Sequence, residues 1–261
     1  MATNNPSSYQ YLTVDGEDIV RVTLNRPEVR NAFNEGLIAE LQGIFTKLGT
    51  DERCRVIVLQ ANGKSFCAGA DLNWMKSMAN FTKEENVADS RKMAVMLNTI
   101  YACPKPVIAK VQGDAYAGGV GLASVCDILI ASNQVRFCIS EAKLGLLPAT
   151  IAPYVIRALG EQASRRYFVT AEIFTASQAK EIGFVHELVD PDALDSKVAE
   201  VCQAILSNGP MAVMACKKIV RDISQQAITP ALLEDTVERI ASTRTSDEAQ
   251  ARMKAFLEKS K

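Results

Sequence analysis

Apolar residues along the chain switch between two spacings. Tyr9–Val14 and Ile19–Leu24 alternate apolar with polar positions on either side of Asp15-Gly16, a pattern that predicts a β-hairpin. Asn25-Arg26-Pro27 closes the second strand, because proline cannot continue a ladder. From Glu35 to Leu48 the spacing is helical, with Leu37, Leu41, Ile44, Phe45 and Leu48 on one face and Asn34 placed as the N-cap. Val56–Gln60, Val107–Ala109, Ile128–Ala131 and Arg136–Ile139 are short apolar runs that read as strands. Asp71–Ala79 predicts a short helix or loop, and the polar interval Phe81–Asp89 the most mobile loop. Lys92–Ala102 is helical again until Pro104-Lys105-Pro106 stops it. Beyond Thr150 nearly everything is helical: Ala152–Leu159, Gln162–Phe168, Ser177–Ile182, Leu194–Leu206, Met211–Ile223 and two further helices, with one late strand in Gly183–Val189. Strands alternating with helices predict an α/β fold with a mostly parallel sheet. No internal repeat of fixed period is visible.

Composition narrows the class. A chain of 261 residues buries a substantial core as one α/β domain, or as one domain with a small helical tail. The apolar fraction of 48% beside 23% charged residues is that of an ordinary globular protein. A net charge of −1 gives no reason to expect a nucleic-acid partner, though it leaves room for a local basic site facing a phosphate-bearing ligand. The seven cysteines are odd in number and scattered, with no C-x-x-C pair, which fits buried thiols in a reducing cytosol. The start, Met1–Ser8, is polar without a signal segment, and no run reaches the ~18–20 apolar residues of a membrane span. The expected protein is soluble and cytoplasmic.

Several chemistries are disfavoured at once. No G-x-S-x-G accompanies the single histidine, His186, so a Ser-His-Asp hydrolase has no support. Neither H-E-x-x-H nor clustered Cys/His ligands occur, so no metal site is expected. The first strand is not followed by the G-x-G-x-x-G of a dinucleotide enzyme.

What remains is a set of small-residue motifs. Val107–Gly121 (VIAKVQGDAYAGGVG) runs strand, glycine turn, helix start, an arrangement that points free backbone N–H groups at an anion. Its plainer reading is a tight turn where helix and strand pack closely. Ser65–Leu72 (SFCAGADL) also follows an apolar run and turns through small residues. Phe137–Pro148 (FCISEAKLGLLP) sets one carboxylate, Glu141, among Ile139, Leu144, Leu146 and Leu147. Burial there would raise its pKa toward the range of general acid–base work.

Together these motifs, with the opening Asn25–Phe33 (NRPEVRNAF) and Cys126-Asp127, resemble the crotonase (enoyl-CoA hydratase/isomerase) superfamily, over roughly Tyr11 to Lys259. The resemblance implies a crotonase-like ββα spiral core, over residues 1–200, and a C-terminal helical trimerisation region, over 201–261. It implies an acyl-CoA thioester substrate whose CoA is part of the substrate, with no separate cofactor, and a homotrimer or dimer of trimers. By motif position the oxyanion donors are the amides of Ala70 and Gly118, and Glu141 is the acid–base group. Two fixed amides suit an enolate oxygen because they need no reorganisation, and one such donor is worth ~3 kcal/mol of barrier. Arg26, Arg30 and Lys64 are placed for CoA phosphates, and Ala68, Ala70, Asp71, Leu72 and Gly121 beside the ligand. Phe256 and Lys259 match an F-x-x-K pattern that reaches CoA on an adjoining subunit, against the plainer view of a solvent-exposed helix.

One departure stands out. The position of the family's other glutamate, three residues after Gly118, is Gly121, and glycine cannot activate water. Either Glu141 makes both proton transfers with water held by other groups, or the reaction is double-bond isomerisation between C2 and C4. Loss of that glutamate also raises a non-enzymatic alternative, a CoA-binding scaffold or RNA-binding protein, although Glu141 and both amides are kept. Gly69–Met78 (GADLNWMKSM) and Ser140–Tyr154 (SEAKLGLLPATIAPY) look most like bacterial methylglutaconyl-CoA hydratases, which favours hydration of a branched, carboxylated enoyl-CoA. The second anion of such a substrate would want a cation, for which Lys76, Lys143 and Arg157 are in reach along the chain, each equally readable as a solvated charge. Tyr116 and Tyr154 are candidates to orient water or substrate, or simply packed tyrosines.

Overall fold

The computed structural model describes residues 9–259, so the reading of Met1–Ser8 lies outside the described residues. The chain opens with an antiparallel hairpin, β1 (Leu12–Asp15) and β2 (Ile19–Leu24). A 3-10 turn at Pro27–Val29 leads to α1 (Glu35–Thr50), where Asn34 accepts from the Leu37 N–H at 2.8 Å as its cap. Then come β3 (Val56–Ala61), β4 (Ser65–Cys67), α2 (Leu72–Met78) and α3 (Lys83–Ala102). β5 (Val107–Val111), β6 (Asp114–Tyr116) and α4 (Gly118–Ser124) follow, and after them β7 (Ile128–Ser132), β8 (Arg136–Cys138) and a 3-10 turn at Glu141–Leu144. The remainder is α5 (Ala152–Leu159), α6 (Glu161–Thr170), β9 (Ile173–Thr175), α7 (Ala176–Glu181), β10 (Glu187–Val189) and α8 (Leu194–Leu206). It ends with α9 (Pro210–Ile223), α10 (Pro230–Arg244) and α11 (Asp247–Lys259).

Two sheets organise these pieces. The six-stranded one has the order β1-β2-β3-β5-β7-β10, parallel from β2 onward, and the four-stranded one has the order β4-β6-β8-β9. The pairs β3/β4, β5/β6 and β7/β8 each place one strand in the first sheet and the next in the second before the chain leaves as helix. This is a ββα spiral. Successive turns begin at residues 56, 107 and 128, so their lengths are unequal and no fixed period could show in the sequence. The main core lies among the sheets, α1, α3 and α4, and includes Phe33, Phe45, Phe66, Phe137 and Phe174.

The predicted helices and long strands are present, with three corrections. Residues 83–89, expected as loop, are the first turns of α3. Thr82 and Glu85 cap each other's backbone there, Glu85 N–H donating to Thr82 Oγ1 at 3.2 Å and Thr82 N–H to Glu85 Oε2 at 2.7 Å, and that offsets the polar composition. The late strand shortens to Glu187–Val189, because Phe184 and Val185 pack into the core ahead of it. β4 and β6 emerge from stretches read as glycine turns, each only three residues long.

The helices after β10 differ in kind. α8 buries Leu194, Val198 and Cys202 against the sheet, whereas α9 and α10 bury no residue. Lys217 of α9 is tied to the core, reaching Asp127 Oδ2 at 2.6 Å and the Lys105 carbonyl at 2.9 Å, while Asp127 accepts from the Val107 N–H. His186 accepts the Leu129 N–H on Nδ1 at 2.9 Å, a structural contact, and burial lowers its pKa. No helix among the described residues is long and apolar enough to cross a membrane.

Candidate active site

The loop after β4 is held in place by the chain just ahead of α1. Phe33 N–H donates to the Gly69 carbonyl at 2.7 Å, Asp71 N–H donates to the Phe33 carbonyl at 2.8 Å, and Ala68 N–H donates to the Arg30 carbonyl at 3.0 Å. In an extended segment alternate amides point to opposite sides, so the Ala70 N–H faces away from Phe33. Gly69 has φ +90° and lies against the start of α4. A β-carbon on it would stand 3.0 Å from Ala117 Cβ and 3.8 Å from Gly118 N. The two glycine motifs therefore meet, Gly69 lying against the residue pair Ala117-Gly118.

Gly118 is the first residue of α4, where helix geometry leaves N–H groups without intrahelical acceptors. Ala117 before it has φ 49° and ψ −121°, a conformation that side chains rarely adopt and that turns β6 directly into the helix. A β-carbon at Gly119 would lie 2.2 Å from the Cys67 carbonyl oxygen, so only glycine lets α4 pack this closely on β4.

Glu141 begins the 3-10 turn after β8. Its Oε2 is buried and makes no hydrogen bond, and burial raises its pKa, with only its own backbone N–H pulling the other way. Its environment differs from the expected one. Ile139 is buried, but Leu144, Leu146 and Leu147 point outward, Leu147 being 75% exposed, because the turn reverses at Gly145 (φ +70°).

Position 121 is closed. A β-carbon there would stand 2.2 Å from Ile151 Cγ2 and 2.6 Å from Ile151 Cβ. Both residues are buried, so Gly121, expected beside the ligand, is instead a packing contact between α4 and the start of α5. Arg26 and Asp71 pair with each other. Arg26 Nη2 pairs with Asp71 Oδ2 at 2.8 Å, and Nη1 donates to the Ala32 carbonyl at 2.5 Å. Asp71, buried, also caps α2 by accepting the Asn73 N–H at 2.8 Å, and its bonds to Asn73 and Arg26 outweigh burial and lower its pKa. Both charges hold the Ala70 loop to the chain ahead of α1.

The other sequence-predicted residues are distributed as follows. Arg30 and Lys64 are exposed with no side-chain partner among the described residues, on the chain segments flanking the Ala68–Ala70 loop. Leu72, at the start of α2, is 73% exposed. Lys76 is exposed, Arg157 is tied to the Pro153 carbonyl and Gln225, and Lys143 shares the Glu141 turn with its Nζ 3.8 Å from Cys138 Sγ. Tyr116 donates to Asp114 Oδ2 at 2.9 Å and Tyr154 packs on Tyr101, so both read as packed tyrosines. Phe256 is exposed on α11, which is bound to the start of α9 through Glu248. Lys259 ends α11, and its side chain lies outside the described residues.

Sequence reasoning missed two polar groups. Trp74 Nε1 and Asp89 Oδ1 are both buried without a hydrogen bond. Asp89 lay in the presumed loop, and the signal that would have found it is the Thr82–Glu85 capping box. That motif continues α3 back to Lys83 and puts Asp89 on the same face as Met93, Met96, Leu97 and Ile100.

This fold and site define an acyl-CoA enzyme class, and comparison agrees. Residues 15–261 match the family model described as enoyl-CoA hydratase/isomerase, and the chain belongs to that family. It is 32% identical to the short-chain-enoyl-CoA hydratase of Clostridium acetobutylicum, over 92% of this chain and 91% of that one. It is 30% identical to the 2,3-dehydroadipyl-CoA hydratase of Escherichia coli, over 92% of each. Among solved structures, an enoyl-CoA hydratase from Shewanella pealeana superposes with a TM-score of 0.94 at 39% identity, covering 97% of this chain and 96% of that one.

Proposed function

We propose that the protein is an enoyl-CoA hydratase that adds water across the double bond of a branched, carboxylated 2-enoyl-CoA of the methylglutaconyl type. The observation that carries this is the packing of Gly69, the residue before Ala70, against Ala117 and Gly118, together with Glu141 and its one buried, unbonded oxygen. Addition of water at C3 builds negative charge on the thioester oxygen, and that oxygen rests between the two amides. Glu141, its pKa raised by burial, delivers a proton to C2. No cofactor takes part, because CoA arrives within the substrate. Arg30 and Lys64 meet its phosphates, with Ala68 beside it and Leu72 at the mouth. The names of the relatives support hydration. The wording of Gly69–Met78 and Ser140–Tyr154 supports the branched, carboxylated acyl group. Of the three cations considered for its distal carboxylate, Lys143 shares the turn of Glu141 and is the one we favour.

A second reading follows from position 121. With Ile151 filling that space, one family carboxylate remains, and one carboxylate suffices to shuttle a proton between C4 and C2. A panel of acyl-CoA thioesters separates the two. Loss of conjugated thioester absorbance with 2-enoyl substrates, abolished in Glu141→Gln, supports the hydratase. Conversion of 3-enoyl thioesters alone supports the isomerase. Turnover undamaged by Glu141→Gln overturns both.

The apolar positions left exposed on α9–α11, among them Met211, Val220, Val237 and Leu257, support assembly as a homotrimer or dimer of trimers. Such an assembly would let Phe256 and Lys259 reach CoA on a neighbouring subunit.

A further inference from the structure

Lys105 carries a buried charge that the rest of the chain does not answer. It stands between Pro104 and Pro106, ahead of β5, and is 8% exposed. Its carbonyl accepts from Lys217 Nζ at 2.9 Å. Its own ammonium makes no hydrogen bond and no ion pair among the described residues. A cation held this far from water is costly unless an anion faces it.

The ammonium is not sealed in. Lys105 is absent from the side chains whose partnerless polar atom is closed to solvent, and it lines a cleft of about 250 Å³. The walls of that cleft are apolar: Cys54 ahead of β3, Ile205 of α8, and Pro210, Val213 and Met214 of α9. Arg55, the other cation lining it, already donates Nη2 to the carbonyls of Leu206 and Asn208, at 3.3 and 2.9 Å. Glu52, the one acid lining it, is exposed and makes no ion pair among the described residues, and its neighbour Asp51 pairs with Arg53 at 3.2 Å. The first amides of α9 are engaged too, Met211 and Ala212 N–H donating to Glu248. The unmatched charge of the cleft is therefore that of Lys105.

One buried cation among apolar walls selects a ligand with a single anionic head and an apolar body. A phosphate brings further charge that these walls cannot match. The volume falls below the ~300–1,000 Å³ of sites for drug-sized ligands, which limits the body to a short chain and excludes CoA. None of the lining residues belongs to β4, β6, β8 or α4, the elements that carry the Ala70 loop, Gly118 and Glu141.

We propose that this cleft binds a short-chain monocarboxylate, its carboxylate on Lys105 Nζ and its alkyl chain against Ile205, Val213 and Met214. The proposal does not depend on the hydratase reading. An occupant joins α9, which buries no residue of its own, to α8 and the edge of the six-stranded sheet where β3 and β5 begin.

The test is calorimetric titration of the full chain with sodium hexanoate, and with hexanamide as its uncharged counterpart, in wild type, Lys105→Met and Val213→Trp, with thermal melts of each. Hexanoate is expected to bind wild type saturably and to raise its Tm by about 2 °C or more at saturation. Lys105→Met is expected to bind hexanoate at least about tenfold more weakly, and wild type to prefer hexanoate over hexanamide by a similar factor, the size of a lost hydrogen bond to a charged group. Val213→Trp, which fills the cleft, is expected to abolish binding. No saturable binding in wild type overturns the proposal, and so do equal affinities for acid and amide. Displacement of hexanoate by saturating CoA also overturns it, because the acid then sits at the thioester site. Unchanged affinity in Lys105→Met does the same, and if that variant does not fold, unchanged affinity in Val213→Trp overturns it instead.

Discussion

At its first residue α4 keeps an amide open toward the Ala70 loop, while at Gly121 the same helix is shut against Ile151. Both positions carry glycine, and the surroundings differ. At Gly118 a β-carbon would press on the ends of two side chains, Met93 Cε and Phe33 Cε2, at 3.3 Å. At Gly121 the missing side chain admits a neighbouring isoleucine, so that no carboxylate fits. The difference teaches that what stands where a side chain would go decides how a glycine position can change: a flexible thioether end that can give way at Gly118, a branched side chain overlapped at its own β-carbon at Gly121. It also leaves Glu141 as the one family carboxylate of this site.

The largest effect should come from removing that acid. Glu141→Gln is expected to cut turnover of 2-enoyl thioesters by ~10²–10⁴-fold, read as initial rates of absorbance loss. Next is Gly121→Glu, which restores the family residue in sequence but not in space. Overpacking against Ile151 should cost about 1–3 kcal/mol, a fall of about 2–4 °C in Tm per kcal/mol, with no gain in rate. Adding Ile151→Gly to it should recover part of the stability, and a fully stable, faster Gly121→Glu would break the comparison.

A smaller effect concerns pH. The folded state favours the protonated form of Glu141, so that group adds stability below its ordinary value of 4.5 and loses it as pH rises through the raised folded value. Glu141→Gln should therefore be more stable than wild type at neutral pH, with the gap closing toward pH 4 in urea titrations. The smallest belongs to Gly118→Ala. Its β-carbon would meet Met93 Cε and Phe33 Cε2 at 3.3 Å, and the flexible thioether end can give way. A loss of under about 1 kcal/mol in a thermal melt is expected.

Much of this was legible beforehand, and the remainder was not for identifiable reasons. Asn34, Asp15-Gly16 and the apolar runs at 56–60 and 107–109 act through neighbours in sequence, and the helices and strands they mark are present. Long-range partnerships were hidden. Arg26 looked like a phosphate ligand because its partner, Asp71, lies 45 residues away. The leucines after Glu141 looked like its cover because sequence proximity does not reveal the reversal at Gly145. β4 and β6, three residues each, are too short for a period of two to register.

The unequal turns of the spiral carry a consequence for how such a protein changes. β4 and β5 belong to different sheets, and all of α2 and α3 hangs between them, so the strand pairings constrain only where that excursion starts and ends. Trp74, Asp89 and Met93 all ride on it. Insertions and deletions within that excursion can therefore leave both ladders intact, provided the α3 face of Met93, Met96, Leu97 and Ile100 stays packed in the core.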